Sequence, residues 1–218
     1  MSELRSHVIA MSLDGFMAGP QQALERPLGA GGERLHEWMF ATRSGREMIG
    51  QSGGSTGVDD AVEVRSFDRM GATIMGRNMF GPVRGPWVPV AGEEWRGWWG
   101  EDPPYHHPVF VLTHHAHEPM EMQGGTTFHF VTDGIESALE QARDAAGDDD
   151  VRLSGGAATV RQYLRAGLVD ELNIGVAPML LGAGERIFDD LGDSLARYEC
   201  VEATAGEGAV HYRVRRRD

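Results

Sequence analysis

The run VRLSGGAATVRQYLRAGLVDEL, residues 151–172, limits the possible folds more than any other part of the chain. It opens with a short apolar stretch, Val151 to Leu153, and passes through Gly155 and Gly156. It then continues with Val160, Leu164 and Leu168 at helical spacing. A strand that enters a helix through two glycines leaves backbone N–H groups at the positive end of the helix, which suits an anion such as a phosphate. The same residues also serve as a plain tight turn, with glycines in left-handed conformations. The rest of the chain has to decide between these readings.

Alternation of strands and helices continues on both sides. SHVIAMS, residues 6–12, reads as a buried first strand, followed by the turn-rich LDGFMAGPQQ. GERLHEWMFATR reads as one helix with Leu35, Trp38 and Met39 facing inward, and GQSGGSTG, residues 50–57, as a mobile connector. DDAVEVRSFDRM begins with carboxylates, as a helix start prefers. GATIMGRNMFG, residues 71–81, is a short strand that ends in a turn at Gly76 and Arg77. PVFVLTHH and TTFHFVT are further strands, and DGIESALEQARDAAG is a helix with Asp133 at its N-cap. DELNIGVAPMLLGAGERIF is a strand running into a Gly-rich loop, and ARYECVEATAGEGAVHYRVRRR is a closing hairpin. This order is that of an α/β protein, expected as a single domain over residues 1–218.

Residues 82–107 break the pattern. They carry several prolines and the tryptophans Trp87, Trp95, Trp98 and Trp99, and are long for a structureless loop. A functional flap and an interface segment are both consistent with this. The indoles suit a planar substrate, a core or a dimer contact, with core or contact the preferred reading.

Composition excludes several classes of function. The formal net charge of −13 makes nucleic acid and anionic membranes poor partners. An anionic ligand therefore needs a locally positive site. One cysteine, Cys200, excludes an internal disulfide framework and a multi-cysteine zinc site, and fits a cytoplasmic protein. The amino-terminal residues show no signal-peptide pattern, and no apolar run has the length of a membrane span.

Three segments share one local design, a strand ending in small or cationic groups: IMGRNMF, VFVLTHHAH and RLSGGAATV. Ligands of open α/β sheets sit at the carboxyl ends of strands. These ends would offer Arg77, then Thr113 with His114, His115 and His117, then the backbone of Gly155 and Gly156. Such a set suits a ligand with several phosphates, since arginine chelates phosphate in a bidentate fashion. Neither the G-x-G-x-x-G fingerprint nor a Walker loop is present, and in LLGAGERIF the third glycine position is Ile187.

VIAMSLDGFMAG, ATIMGRNMF and VRLSGGAATVRQYLRAGLVDELNIGVAPMLLGAGERIF, in that order, resemble the dihydrofolate reductase-like superfamily. The nearer branch is the C-terminal reductase domain of bacterial riboflavin biosynthesis, and the resemblance spans almost the whole chain. It implies a three-layer α/β/α fold with a mostly parallel sheet of about eight strands and an antiparallel C-terminal hairpin. It also implies an NADPH-dependent reductase, a small-molecule substrate and a homodimer. By resemblance, Gly76, Arg77 and Asn78 lie along the cofactor, Thr113 and His114 near its 2′-phosphate, and Gly155, Gly156, Ala157 and Ala158 around the pyrophosphate. Ala10 and Met11, with the loop through Asp14 and Gly19, border the nicotinamide. Two departures stand out. Met79 occupies a position where the family usually has threonine. Alignment on Trp38 puts Leu35 where dihydrofolate reductases carry a helix carboxylate, leaving Glu37 as the nearest spare one.

Asp14 and Glu37 are thus the candidate catalytic carboxylates, weighed against a turn aspartate bonded to its own backbone and an exposed helix charge. His106, His107, His114, His115 and His117 raise a metal alternative. Adjacent strand residues point to opposite faces and no carboxylate pair accompanies them, so no metal is expected. The carboxylates of LVDEL are expected to stay hydrated, and Arg215, Arg216 and Arg217 to form a solvated tail. The leading expectation is hydride transfer from NADPH to a planar heterocycle or ribosylamino-pyrimidine. The alternatives are dihydrofolate reduction itself and a nucleotide- or flavin-binding protein without turnover.

Overall fold

The computed structural model describes residues 2–82 and 84–217; Val83, within the tryptophan-rich stretch, lies outside the described residues. In chain order the elements are β1 (Leu4–Ser12), β2 (Phe16–Ala18), a 3-10 turn (Gly32–His36), α1 (Glu37–Ala41), α2 (Arg43–Met48), α3 (Val58–Phe67), β3 (Met70–Gly76), α4 (Arg77–Phe80), β4 (Pro108–Leu112), β5 (Met120–Glu121), β6 (Thr127–Val131), α5 (Ile135–Ala146), β7 (Asp150–Gly155), α6 (Ala157–Ala166), β8 (Glu171–Ala177), β9 (Glu185–Arg186), β10 (Tyr198–Ala205) and β11 (Val210–Arg216). The class is α/β, as expected. Two compact units form: one from the residues up to Leu4 together with Arg69–Gln162, the other from Arg5–Asp68 together with the chain from Tyr163 onward.

The first unit carries strands in the order β7-β3-β4-β6-β5. All are parallel except β5, which runs against β6. α5 covers one face because Ala138, Leu139, Ala142 and Ala146 recur on one side of the helix and are buried. Period-2 alternation sends Met75, Val109, Val111 and Phe128 to the other face, where Phe80, Trp87, Trp95 and Tyr105 pack on them. Trp87, Trp95 and Tyr105 of the tryptophan-rich stretch thus pack, partly buried, on that core, whereas Trp99 is exposed. Asp133 does not cap α5. Gly134 holds the N-cap position at φ 93° with no side-chain cap, and Asp133 instead accepts a 3.4 Å bond from Thr132 Oγ1.

The second unit orders its strands β10-β11-β8-β1. β1 and β8 are parallel; β11 is antiparallel to both β8 and β10. With the first unit's five strands this gives nine, against the expected eight or so. Val8, Ala10, Leu35, Trp38, Val62, Ala177 and Met179 form its core. The helix expected across 32–43 is broken into the 3-10 turn, α1 and α2. Thr42 is extended (φ −75°, ψ 164°), and its Oγ1 accepts the N–H of Gly45 at 3.0 Å, so it starts a new helix and ends the old one. Residues 50–57, expected to be a mobile connector, are pinned by Arg43 N–H to Ser55 O and by Ser55 N–H to Ala41 O.

Two expectations about charge are corrected here. Glu171 is buried, not hydrated, because β11 brings Arg213 and Arg215 to within 3.6 and 3.4 Å of its Oε2. Arg215 and Arg216 belong to β11 and are not a solvated tail. Arg216 meets Asp170 at 2.7 Å, and Arg217 meets Glu199 at 3.4 Å. No helix among the described residues is long and apolar enough to cross a membrane.

Candidate functional site

Within the first unit, β3 lies between β7 and β4 and is parallel to both. The register pairs Met75 with Gly155 and Gly76 with Leu112, so the carboxyl ends of the three strands stand side by side. This is the arrangement that the three short motifs required. Gly76 closes β3, and the expected turn after it is the single helical turn α4, which starts at Arg77. A Cβ on Gly76 would run into Oγ1 of Thr159 on α6, so the strand and helix approach each other through the missing side chain.

Gly155 has φ 121°, and a cis peptide joins it to Gly156. A Cβ built on Gly156 meets no atom within 4 Å. Open space therefore lies against the backbone at the start of α6, where Thr159 N–H already donates to Gly156 O at 3.0 Å and the N–H groups ahead of it fall in the turn that has no intrahelical acceptor. Ala157 is buried under that turn and Ala158 is exposed on it. An anion fits there: the backbone leaves room for it, and the helix end favours negative charge.

Arg77 stands at the neighbouring tip. Burial, reinforced by the charge of Arg84, pulls its guanidinium down from 12.5 to about 10. A cation held under that penalty favours an anionic partner. Asn78 is exposed beside it, whereas Met79 packs into the apolar cluster of the unit, so the hydroxyl expected of a threonine is replaced by core contact. At the tip of β4 the Thr113 hydroxyl faces its own turn and accepts the His115 N–H at 3.2 Å. His114 is the exposed side chain of that turn.

The remaining candidates belong to the second unit. The Ala10 side chain is in the core of that unit, and Met11 is half-buried next to it. Gly19 is closed off by its own chain, since a Cβ there would strike the carbonyl of Ala30. The Asp14 carboxylate accepts from Ser12 Oγ at 2.6 Å, Leu181 N–H at 3.0 Å and Gly182 N–H at 2.7 Å. Led by the Ser12 bond, these hold its pKa down from 3.8 to about 2. Asp14 is thus a clasp between two loops and stays ionised, which unfits it as a proton donor. Glu37 is exposed on α1.

The histidines separate rather than gather. His106 reaches Gly124 O, His107 shares a 2.7 Å bond with Thr73, and His117 pairs with Glu94 at 3.4 Å. Among the described residues no group of three or more potential metal ligands forms. Sequence reasoning missed two buried polar clusters. His107 sits by Thr73 and Arg152, where burial first and then Arg152 and His106 push it down from 6.5 to about 4. Asp59 lies 2.6 Å from His211 beneath Trp38. Neither pair is close in sequence, so only the register of the strands reveals them.

Residues 7–212 match the family profile of the RibD C-terminal domain. The chain belongs to that family. No curated protein matches it by sequence. Among solved structures it is similar to a protein from Shewanella sp. PV-4 described under riboflavin biosynthesis, with TM-score 0.64, 22% identity and all of both chains covered. It is also similar to a dihydrofolate reductase from Enterococcus faecalis complexed with NADP(H), with TM-score 0.53, 13% identity and coverage of 99% and 97%. A third is the diaminohydroxyphosphoribosylaminopyrimidine deaminase/5-amino-6-(5-phosphoribosylamino)uracil reductase from Thermotoga maritima, with TM-score 0.53 and 13% identity. This chain covers 57% of that longer protein. These likenesses establish a dihydrofolate reductase-like fold.

Proposed function

We propose that the chain is an NADPH-dependent reductase acting on a ribosylamino-pyrimidine or a similarly planar heterocycle. Membership of the RibD C-terminal family supports the reaction class, and the Thermotoga protein's name suggests the substrate type. The observation that carries the cofactor reading is the set of three parallel strand tips, with open space against Gly156 and a half-buried cation at Arg77. Arg77 and the backbone from Gly155 to Ala158 would hold phosphate oxygens, with His114 on the exposed turn near a 2′-phosphate. When bound, the nicotinamide supplies the hydride; the protein's part is placement and electrostatics. Asp14 orders the loops and releases no proton at neutral pH. The proton that follows the hydride therefore comes from water or the substrate.

The test is to mix the purified chain with NADPH and 5-amino-6-(5-phosphoribosylamino)uracil and follow the loss of nicotinamide absorbance, with dihydrofolate in a parallel arm. Oxidation with the pyrimidine and not the pteridine is expected. Oxidation with dihydrofolate alone makes the chain a folate reductase. Tight NADPH binding with no oxidation by either makes it a binding protein without turnover. Both outcomes overturn the proposal.

A further inference from the structure

A cavity of about 280 Å³ opens in the first unit beside Arg77, walled by Trp87, Pro89, Trp95, Glu94 and His117. Its construction is specific. The Arg77 guanidinium carbon lies 3.0 Å from the centroid of the Trp87 ring. Stacking engages the face of a guanidinium and not its N–H edge, the part that chelates phosphate oxygens. The Trp87 indole is itself fixed. Its Nε1–H donates to the carbonyl of His115 at 2.9 Å, and its ring meets Phe130 and His117 edge-on with centroids 4.8 Å away in both cases. His115 belongs to the turn at the tip of β4, where its N–H is held by Thr113 Oγ1. One side chain therefore touches the cation at the end of β3 and the turn at the end of β4. The far wall is set by Trp95 Nε1–H bonded to Phe80 O at 2.8 Å, and the His117–Glu94 pair joins it to the Trp87 side.

Resting on the reductase reading above, we propose that Trp87 is a positioning residue for phosphate recognition. It aims Arg77 at the cavity and couples that cation to the β4 turn, so that a phosphorylated nucleoside end of the cofactor is recognised there.

The experiment is a calorimetric titration of the full chain with NADPH and with adenosine 2′,5′-bisphosphate, for the wild type, Arg77→Leu, Trp87→Leu and the double variant, alongside steady-state kinetics. Trp87→Leu is expected to weaken the bisphosphate about tenfold and to raise KM for NADPH similarly, with kcat within about twofold. Trp87→Phe, which keeps a ring face, should recover most of that loss. The double variant should be little worse than Arg77→Leu alone, because the indole acts through the guanidinium. Trp87→Met fills much of the same space without a π face and gives a second measurement if Trp87→Leu folds poorly. If Arg77→Leu leaves NADPH affinity unchanged, the reading of the strand tips fails, and this inference with it. If Arg77→Leu weakens binding but the Trp87 variants do not, or if their effects simply add, the cofactor reading stands and the role of Trp87 is refuted.

Discussion

Two glycine-rich turns follow parallel strands in this chain, one in each unit, and they put similar residues to opposite use. After β8, the N–H groups of Leu181 and Gly182 already hold an anion, the carboxylate of Asp14, and a Cβ on Gly184 would strike the carbonyl of Ala18. That turn is closed at Gly184 and its N–H groups are taken, although Gly182 itself meets no atom within 4 Å. After β7, Gly155 and Gly156 lead into α6 and open space lies against Gly156. The comparison shows how a closed loop and an open one differ when composition alone cannot separate them. A glycine that admits the chain's own backbone, as Gly184 does, is closed to a ligand, whereas open space at a helix start, found at Gly156 and also at Gly134 before α5, leaves room for one without marking it.

The sharpest way to break this contrast is Gly156→Ala. The new methyl group clashes with nothing in the protein, so thermal stability should change little, while it intrudes where a phosphate would lie. NADPH affinity should fall on the order of 100-fold, about 2.7 kcal/mol. Unchanged affinity in calorimetry would remove the ligand from this turn. Gly76→Ala acts the other way. Its methyl group meets Thr159 Oγ1, and overpacking of this kind costs about 1–3 kcal/mol of unfolding free energy, largely restored by adding Thr159→Ala. Denaturant melts of the single and double variants measure this.

A smaller effect is expected at Asp14, and it depends on pH. The folded-state pKa, about 2, lies below the model-compound value of 3.8. The clasp is therefore fully present above pH ~4 and is lost as acid takes the pH toward 2. Asp14→Asn should lower the unfolding midpoint at neutral pH and flatten the acid limb of the stability curve. An acid limb identical to that of the wild type would mean that the carboxylate is not the clasp. Glu37→Gln should do least: stability within about 0.5 kcal/mol, as for other exposed sites, and an unaltered pH–rate profile. A lost ionisation in that profile would restore Glu37 as the essential acid.

Much of the candidate site was legible in the sequence. Three short motifs, each ending a strand in glycine, arginine or threonine, place the tips of β3, β4 and β7 together because parallel neighbours align their carboxyl ends. What was hidden depends on pairing across long separations. Thr42 extends and caps α2, which no periodicity shows. Glu171 is buried because strand register brings it opposite Arg215, 44 residues away. Asp14 is bonded to its own turn, as a turn aspartate should be, and its remaining acceptor capacity is used by a loop 167 residues on. The tryptophans left core and ligand readings open, and the structure gives Trp87 both a core face and a place beside Arg77.

The most direct measurement is isothermal titration calorimetry of the wild-type chain with NADPH at two salt concentrations. The account predicts micromolar binding that weakens with salt and drops at least tenfold in Arg77→Leu, about 1.4 kcal/mol. No heat at millimolar NADPH, or binding that ignores both salt and Arg77, would contradict it.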